Sequence, residues 1–190
     1  TMKAGEADGN MIPLQARWVP SLEVDLPFSE SVSEDSLVHL VDETCLTMCS
    51  SLCGEVCCIK EDVLTQSCNT VSVVINCDVN IGSEWFQKLL NLLETVCNYS
   101  KRVMISCVDP FGSVGGDNAM SKSSVASAVM GVVHSLVLEY PNKSMKVIDL
   151  TSASCSELTL CSIIDQEAKI TSLWNELEVV YNNKNRHCRR

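Results

Sequence analysis

The chain has few basic residues and few aromatic residues, and it has no long apolar run. Its 190 residues include 14 Lys and Arg against 24 Asp and Glu, so its formal net charge is −10. This acidic balance argues against a general nucleic-acid binder and against a surface drawn to anionic lipid. No apolar run reaches the roughly 20 residues that a membrane-spanning helix needs. We therefore expect neither a nucleic-acid partner nor a membrane partner.

The N-terminal residues lack the apolar core of a signal peptide, so we expect a cytoplasmic protein. Residues 1–12 are polar and contain glycine, which is typical of a linker or tail. Residues 13–190 have the size of one domain. The chain is 46% apolar and 20% charged, a composition that allows a packed core.

Glycine is also scarce where a nucleotide enzyme would need it. The chain has eight Gly and contains no Gly-x-Gly-x-x-Gly turn. In a dinucleotide-binding fold the glycines of that turn allow the backbone to approach the pyrophosphate. It has no phosphate-binding Gly-Lys-Ser/Thr loop either. The cluster Gly112, Gly115 and Gly116 is interpreted as a strand-to-helix loop. We therefore expect this chain to bind no cofactor and to contain no cofactor-binding residue.

Cysteine, in contrast, is abundant. The twelve cysteines are Cys45, Cys49, Cys53, Cys57, Cys58, Cys68, Cys77, Cys97, Cys107, Cys155, Cys161 and Cys188. No Cys-x-x-Cys pair occurs and the three His are isolated, so zinc-finger and redox-dithiol spacings are absent and no metal ligands are predicted. Most of the cysteines have apolar neighbours, where a free Cys behaves as a small hydrophobe. We expect buried, reduced thiols.

Four of these cysteines repeat every four residues: Cys45, Cys49, Cys53 and Cys57. On a helix this spacing would place them along one stripe. The stripe is either a metal or thiol cluster or part of a buried apolar face. We favour the apolar face, because one helix cannot supply a tetrahedral set of ligands.

The apolar patterns predict alternating strands and helices. Strands are predicted at 15–19, 55–59, 70–77, 102–108, 145–150, 177–181 and 186–190, and helices at 36–53, 82–99, 121–140 and 162–173. This order is typical of an α/β fold in which helices flank a parallel sheet. We expect a truncated Rossmann-like, mostly parallel sheet with a short C-terminal hairpin.

Residues 103–140 combine a strand ending in Ser106 and Cys107, a Gly-rich loop, and a long helix that begins near Lys122. This segment resembles the second half of a short-chain dehydrogenase/reductase. In that family a Ser ends the strand, and a Tyr that transfers the proton stands four residues before a Lys. Asn118 occupies the Tyr position and cannot act as the acid. The resemblance therefore implies no catalytic residue, and Lys122 is interpreted as a relic or as a surface residue at the start of the helix.

A second spacing, Tyr181-x-x-x-Asn185, matches one used by polyketide ketoreductases. Here it lies in a turn between two predicted C-terminal strands, whereas the family pattern precedes a long helix. We interpret the match as a coincidence.

The order of three segments extends the resemblance to most of the chain. They are 15–20 (Gln-Ala-Arg-Trp-Val-Pro), 131–141 followed by the strand at 147–150, and the acidic-then-basic hairpin at 178–190. From residue 13 onward the chain resembles the structural subdomain of the ketoreductase of reducing polyketide synthases and animal-type fatty acid synthases. That subdomain is a truncated copy of the reductase fold.

This resemblance implies a non-catalytic scaffold within a multidomain synthase. The scaffold would pack in cis on a catalytic subdomain that binds NADPH and reduces β-keto groups held on an acyl carrier protein. The basic strand from Arg186 to Arg190 would be the joint. Three other interpretations remain. The chain could be an active or degenerate short-chain reductase that stands alone, an interaction domain of the same fold, or a Cys-rich metal or redox protein.

Overall fold

The computed structural model describes residues 18–20, 36–59, 68–77, 82–109, 119–152, 156–182 and 185–189. These residues form strands and three α-helices that alternate along much of the chain. The strands are β1 (Trp18–Pro20), β2 (Leu37–Val41), β3 (Glu55–Cys58), β4 (Cys68–Asn76), β5 (Ser100–Val108), β6 (Ser144–Ser152), β7 (Glu178–Asn182) and β8 (Asn185–Arg189). The helices are α1 (Ser83–Tyr99), α2 (Ala119–Glu139) and α3 (Glu157–Lys169).

The strands form one sheet in the order β1-β8-β7-β6-β5-β4-β2-β3. Neighbours from β3 to β7 are parallel, and β8 is antiparallel to both β7 and β1. The predicted α/β class, the mostly parallel sheet and the C-terminal hairpin are therefore confirmed. The arrangement is Rossmann-like, since the chain leaves β2 toward β3 and returns to β4 on the other side of β2. The carboxyl ends of β2 and β4 thus form a topological switch point.

Helices cover the sheet on both sides. On one face α1 and α2 bury residues such as Leu93 and Val133 against β4 and β5. On the other face α3 buries residues such as Ile164. The central strands are therefore buried on both sides, which is why they are continuous apolar runs with little alternation.

The helix predicted over 36–53 is wrong. Residues Leu37–Val41 form β2, and a short 3-10 helix at Glu43–Cys45 follows. A mostly apolar segment of only five residues fits a buried strand as well as a turn of buried helix. Pairing with β3 on one side and β4 on the other selects the strand.

The last helix is displaced from its predicted range of 162–173. It begins at Glu157, because the Ser156 side chain accepts a hydrogen bond from the Thr159 amide and caps the first turn. It ends at Lys169, and a 3-10 helix at Thr171–Asn175 follows. The sequence prediction joined these two elements into one.

The other predicted elements are present within a few residues of their predicted bounds. The strand predicted at 15–19 is described from Trp18 onward. Its first residues lie outside the described part of the chain, as do the predicted tail at 1–12 and all of the Gly-rich loop except Asp109.

The predicted helical stripe of cysteines does not form, because its residues are spread over a 3-10 helix, turns and β3. Cys45 and Cys49 are buried, Cys53 is exposed and Cys57 is half-buried. All eleven described cysteines are free thiols, and most of them are buried. Their interpretation as small core hydrophobes is therefore confirmed, and Cys155 lies outside the described residues.

Candidate functional site

The switch point between β2 and β4 is the expected position for a ligand, since open α/β sheets bind ligands beyond the carboxyl ends of their strands. Asp42 follows β2 directly and caps the 3-10 helix. Its Oδ1 accepts hydrogen bonds from the Thr44 amide at 2.9 Å and from the Thr44 hydroxyl at 2.6 Å. Asn76, at the end of β4, donates to the Thr44 hydroxyl oxygen at 2.8 Å. Three polar side chains thus connect the ends of the two strands.

This arrangement changes what the first turn after β2 can bind. A helix N-terminus attracts anions because its amides lack partners within the helix. Here the Asp42 carboxylate accepts the Thr44 amide, and Glu43 adds a second carboxylate beside it. The turn therefore presents negative charge at the position where a pyrophosphate would need free donors.

The residues matched to the reductase motif are not brought together as a described site. Ser106 is fully buried in β5. Cys107 is buried too, and the pKa of its thiol is raised well above its ordinary value by the Cys77 thiol beside it and by burial. Lys122 lies in the first turns of α2, but its side chain and the whole of Asn118 are outside what the structure describes. A buried, protonated thiol is a poor nucleophile.

Tyr181 and Asn185 belong to the C-terminal hairpin. Tyr181 lies in β7 with its side chain buried, and its hydroxyl donates to Glu167 Oε1 at 2.8 Å. Burial and the neighbouring carboxylate raise the pKa of Tyr181 above its ordinary value. Asn185 is exposed at the start of β8. Because the Tyr181 hydroxyl is buried in the core, it cannot transfer a proton to a substrate at the surface.

Glu167 is the centre of a buried ionic network. Besides Tyr181, its carboxylate pairs with Lys146 of β6 at 2.8 Å and with Arg186 of β8 at 2.5 Å. The same guanidinium reaches Glu176 Oε2 at 2.5 Å. One side chain of α3 therefore joins three strands at the C-terminal side of the sheet.

Burial and charge pairing act in opposite directions on the pKa values of this network. Burial alone would raise the pKa of Glu167, but the hydrogen bond from Arg186 and the charges of Lys146 and Arg186 hold it below its ordinary value. Burial lowers the pKa of Lys146, and Glu167 offsets part of that effect. The Lys146 ammonium also lies 5.3 Å from the centre of the Trp174 ring, a cation–π distance.

The sequence interpretation missed this network, although one signal was present. In α3, Glu167 follows Ile163 by four residues and Ile164 by three, so helical spacing places it on the apolar face. Lys146 lies between Met145 and Val147 in a strand with helices on both sides, where each face is buried. A charged residue at both positions predicts a buried pair.

A second polar cluster lies between β2 and α3. His39 Nε2 is 3.1 Å from the Cys53 carbonyl oxygen and 3.4 Å from Asp165 Oδ1. The two Asp165 oxygens also accept the Cys53 amide, at 3.0 and 3.2 Å. Cysteine, histidine and aspartate are a nucleophilic triad in other folds. Here Nε2 is the ring nitrogen that lies against Cys53, and it donates to the Cys53 carbonyl and the Asp165 carboxylate, so this nitrogen cannot also accept the proton of the Cys53 thiol.

Metal sites and membrane spans are both absent from the described residues. Within these residues, no group of three or more His, Cys, Asp or Glu side chains is placed to hold a metal ion. No helix in the described part of the chain has the combined length and apolar composition needed to cross a bilayer.

Comparisons of the chain with protein-family models, with curated proteins and with solved structures find no match.

Proposed function

We propose that this chain is the non-catalytic structural subdomain of a cytoplasmic β-ketoreductase in a polyketide or fatty acid synthase. One observation carries the proposal: the Asp42 carboxylate accepts the Thr44 amide at the switch point. In an active reductase of this topology the first turn must offer its free amides and a glycine-lined approach to a dinucleotide. A turn capped by its own acid is suited to hold two strands together.

The position of the first and last strands supports the same proposal. Trp18 pairs with Arg189 and Pro20 with His187, so β1 and β8 lie side by side at one edge of the sheet. Chain that precedes β1 and chain that follows β8 would then attach on the same side of the subdomain. This is a common arrangement for a unit placed within a longer multidomain protein.

The role of the subdomain in this proposal is mechanical. Its partner is a catalytic subdomain in cis, which binds NADPH and reduces a β-keto group carried by an acyl carrier protein. Arg186 ties β8 to Glu167 and Glu176, so the strand that leads toward the partner is anchored to α3. A rigid attachment of this kind would keep the geometry of the partner's site constant.

The deciding experiment is to read the gene beyond the codon for Arg190. We expect the reading frame to continue and to encode a strand, a Gly-x-Gly-x-x-Gly turn and a later Tyr-x-x-x-Asn or Tyr-x-x-x-Lys motif. A stop codon there, or an unrelated domain, would overturn the proposal and favour a free-standing protein of this fold.

Titration with NADPH tests one of the alternative interpretations, that the chain is a reductase that works alone. The 190-residue chain is mixed with NADPH, and the fluorescence of the nicotinamide is followed. We expect no saturable change for this chain and a 1:1 complex for the longer protein that includes the following subdomain. Tight 1:1 binding by the 190-residue chain itself would contradict a purely structural role.

A further inference from the structure

One ring nitrogen of His39 is buried without a hydrogen-bond partner among the described residues. His39 is fully buried in β2, and its Nε2 lies against two acceptors, the Cys53 carbonyl and the Asp165 carboxylate. Nε2 must therefore carry a proton, because neither neighbour can donate one. Within the described residues, Nδ1 has no hydrogen-bond partner.

Ser72 presents a second such atom next to it. His39 of β2 and Ser72 of β4 are paired in register, so their side chains leave the same face of neighbouring strands about 4.8 Å apart. Ser72 is fully buried, and its Oγ likewise has no hydrogen-bond partner among the described residues. The register places the two side chains on the same face of adjacent strands, and no hydrogen bond joins Oγ to Nδ1.

A single hydrogen-bonding partner between the two side chains would satisfy both buried polar atoms. Nearly all buried polar atoms in proteins are hydrogen-bonded to the protein or to ordered water. An internal water typically makes about three hydrogen bonds and can both donate and accept, so it suits a ring nitrogen beside a hydroxyl. A third atom of the same type, Ser106 Oγ, lies on the same face of β5, the next strand.

We propose that one internal water molecule is bound between His39 Nδ1 and Ser72 Oγ. The water donates one hydrogen bond to Nδ1 and forms a second hydrogen bond with the Ser72 hydroxyl, as either donor or acceptor. The series Asp165, His39, water and Ser72 then joins α3 to two central strands of the sheet. The inference is independent of the proposed function, since it depends only on the packing of this chain.

The test is nuclear magnetic resonance of the 190-residue chain. We expect a water cross-peak to the His39 Hε1 proton, beside Nδ1, with the sign of a long-lived internal water. The Nδ1 resonance should show that it accepts a hydrogen bond. Ser72→Val, which removes the hydroxyl and fills the space with methyl groups, should abolish the cross-peak. Ser106→Val is the matched control, because Ser106 pairs with Val74 and not with Ser72, and it should keep the cross-peak.

Two results would overturn the inference. One is a slowly exchanging Ser72 hydroxyl proton that contacts the His39 ring directly, without a water signal. The other is a wild-type spectrum with no long-lived water at His39 and an Nδ1 resonance free of hydrogen bonding. If Ser72→Val fails to fold, the wild-type spectrum and Ser72→Ala still decide, since Ser72→Ala should weaken or remove the same cross-peak.

Discussion

Lys146 and Glu167 form an ion pair with both side chains fully buried, the Nζ lying 2.8 Å from Oε2. The pair connects the middle of the sheet to the apolar face of α3. Glu167 also accepts hydrogen bonds from Tyr181 and Arg186, so its carboxylate meets three donors from three strands. One acidic side chain of α3 therefore links β6 to both strands of the C-terminal hairpin.

Glu167→Gln should destabilise the fold strongly while keeping the side-chain volume. The substitution leaves the Lys146 ammonium buried beside a neutral amide, and breaking a buried pair typically costs about 3–5 kcal/mol. The free energy of unfolding in urea measures the effect. Adding Lys146→Met to Glu167→Gln removes the uncompensated charge and should restore part of the loss.

The matched control for this prediction is Glu157→Gln. Glu157 lies on the same helix but is exposed in its first turn. Its substitution should change the free energy of unfolding by less than about 1 kcal/mol. Equal effects of the two variants would show that the buried network contributes nothing specific.

Acid should destabilise the chain through Asp165 and Glu167. Burial alone would raise the pKa of Asp165, but hydrogen bonds from His39 and Cys53 outweigh it and lower the pKa. Since the pKa of Glu167 is lowered too, the unfolded chain binds more protons than the native chain at low pH. The stability that these two carboxylates contribute is therefore fully present above the unfolded carboxyl pKa values, about 4. It is lost as pH drops through the lower native values.

Unfolding free energies measured between about pH 2.5 and pH 7 test this dependence. Asp165→Asn should reduce the slope on the acid side. Glu84→Gln, which removes an exposed pair with Lys88, should leave the slope unchanged because exposed pairs contribute little. An unaltered slope in Asp165→Asn would contradict the assignment.

The cysteines should react in the order of their exposure. Burial raises the pKa of Cys45 and of Cys49 to about 12, so at pH 8 only about one thiol in 10⁴ at these positions is a reactive thiolate. Cys53 is exposed, and Cys57 and Cys58 are half-buried. Among the eleven described cysteines, iodoacetamide should therefore label Cys53 first, then Cys57 and Cys58.

Mass spectrometry of the alkylated peptides follows this order. Cys45 and Cys49 should be labelled only after unfolding in denaturant, and Cys53→Ser should remove the fastest phase. Rapid labelling of Cys45 or Cys49 in the native chain would show that the segment after β2 opens easily.

Two glycines should respond to alanine in opposite directions. Gly54 has a φ of +119°, and a Cβ there would lie 2.9 Å from the Leu37 carbonyl oxygen. Gly54→Ala should therefore destabilise the chain by about 1–3 kcal/mol. Gly131 lies within α2, where a Cβ would have no neighbouring atom within 4 Å, so Gly131→Ala should stabilise the chain by about 0.5–1 kcal/mol. Thermal unfolding of both variants is the measurement, and a stable Gly54→Ala would refute the close approach.

The sequence alone was enough for the regular part of the fold. The segments 70–77 and 102–108 consist mostly of apolar residues without strict alternation of apolar and polar positions, which is typical of strands buried on both faces. In α1 the apolar residues Leu89, Leu93 and Val96 recur at helical spacing. These local patterns do not depend on the rest of the chain, and the α/β class follows from their order.

The elements that sequence reasoning misplaced are those whose local pattern is ambiguous. Leu37–Val41 is too short for its period to separate strand from helix, and its pairing with β3 and β4 decided the outcome. Cys45 and Cys49 lie just after this segment. They are buried by tertiary packing and not by the face of a helix.

Tertiary structure alone decided which distant residues meet. β1 pairs with β8, and Lys146, Glu167 and Arg186 converge from a strand, a helix and a hairpin. The Asp42–Thr44–Asn76 connection likewise joins two strands that are separate in the chain. Sequence periodicity reports which side of an element is buried, because the spacing of apolar residues within that element marks its buried face. It does not report the partner, because a hydrogen bond or an ion pair depends on the three-dimensional position of both side chains.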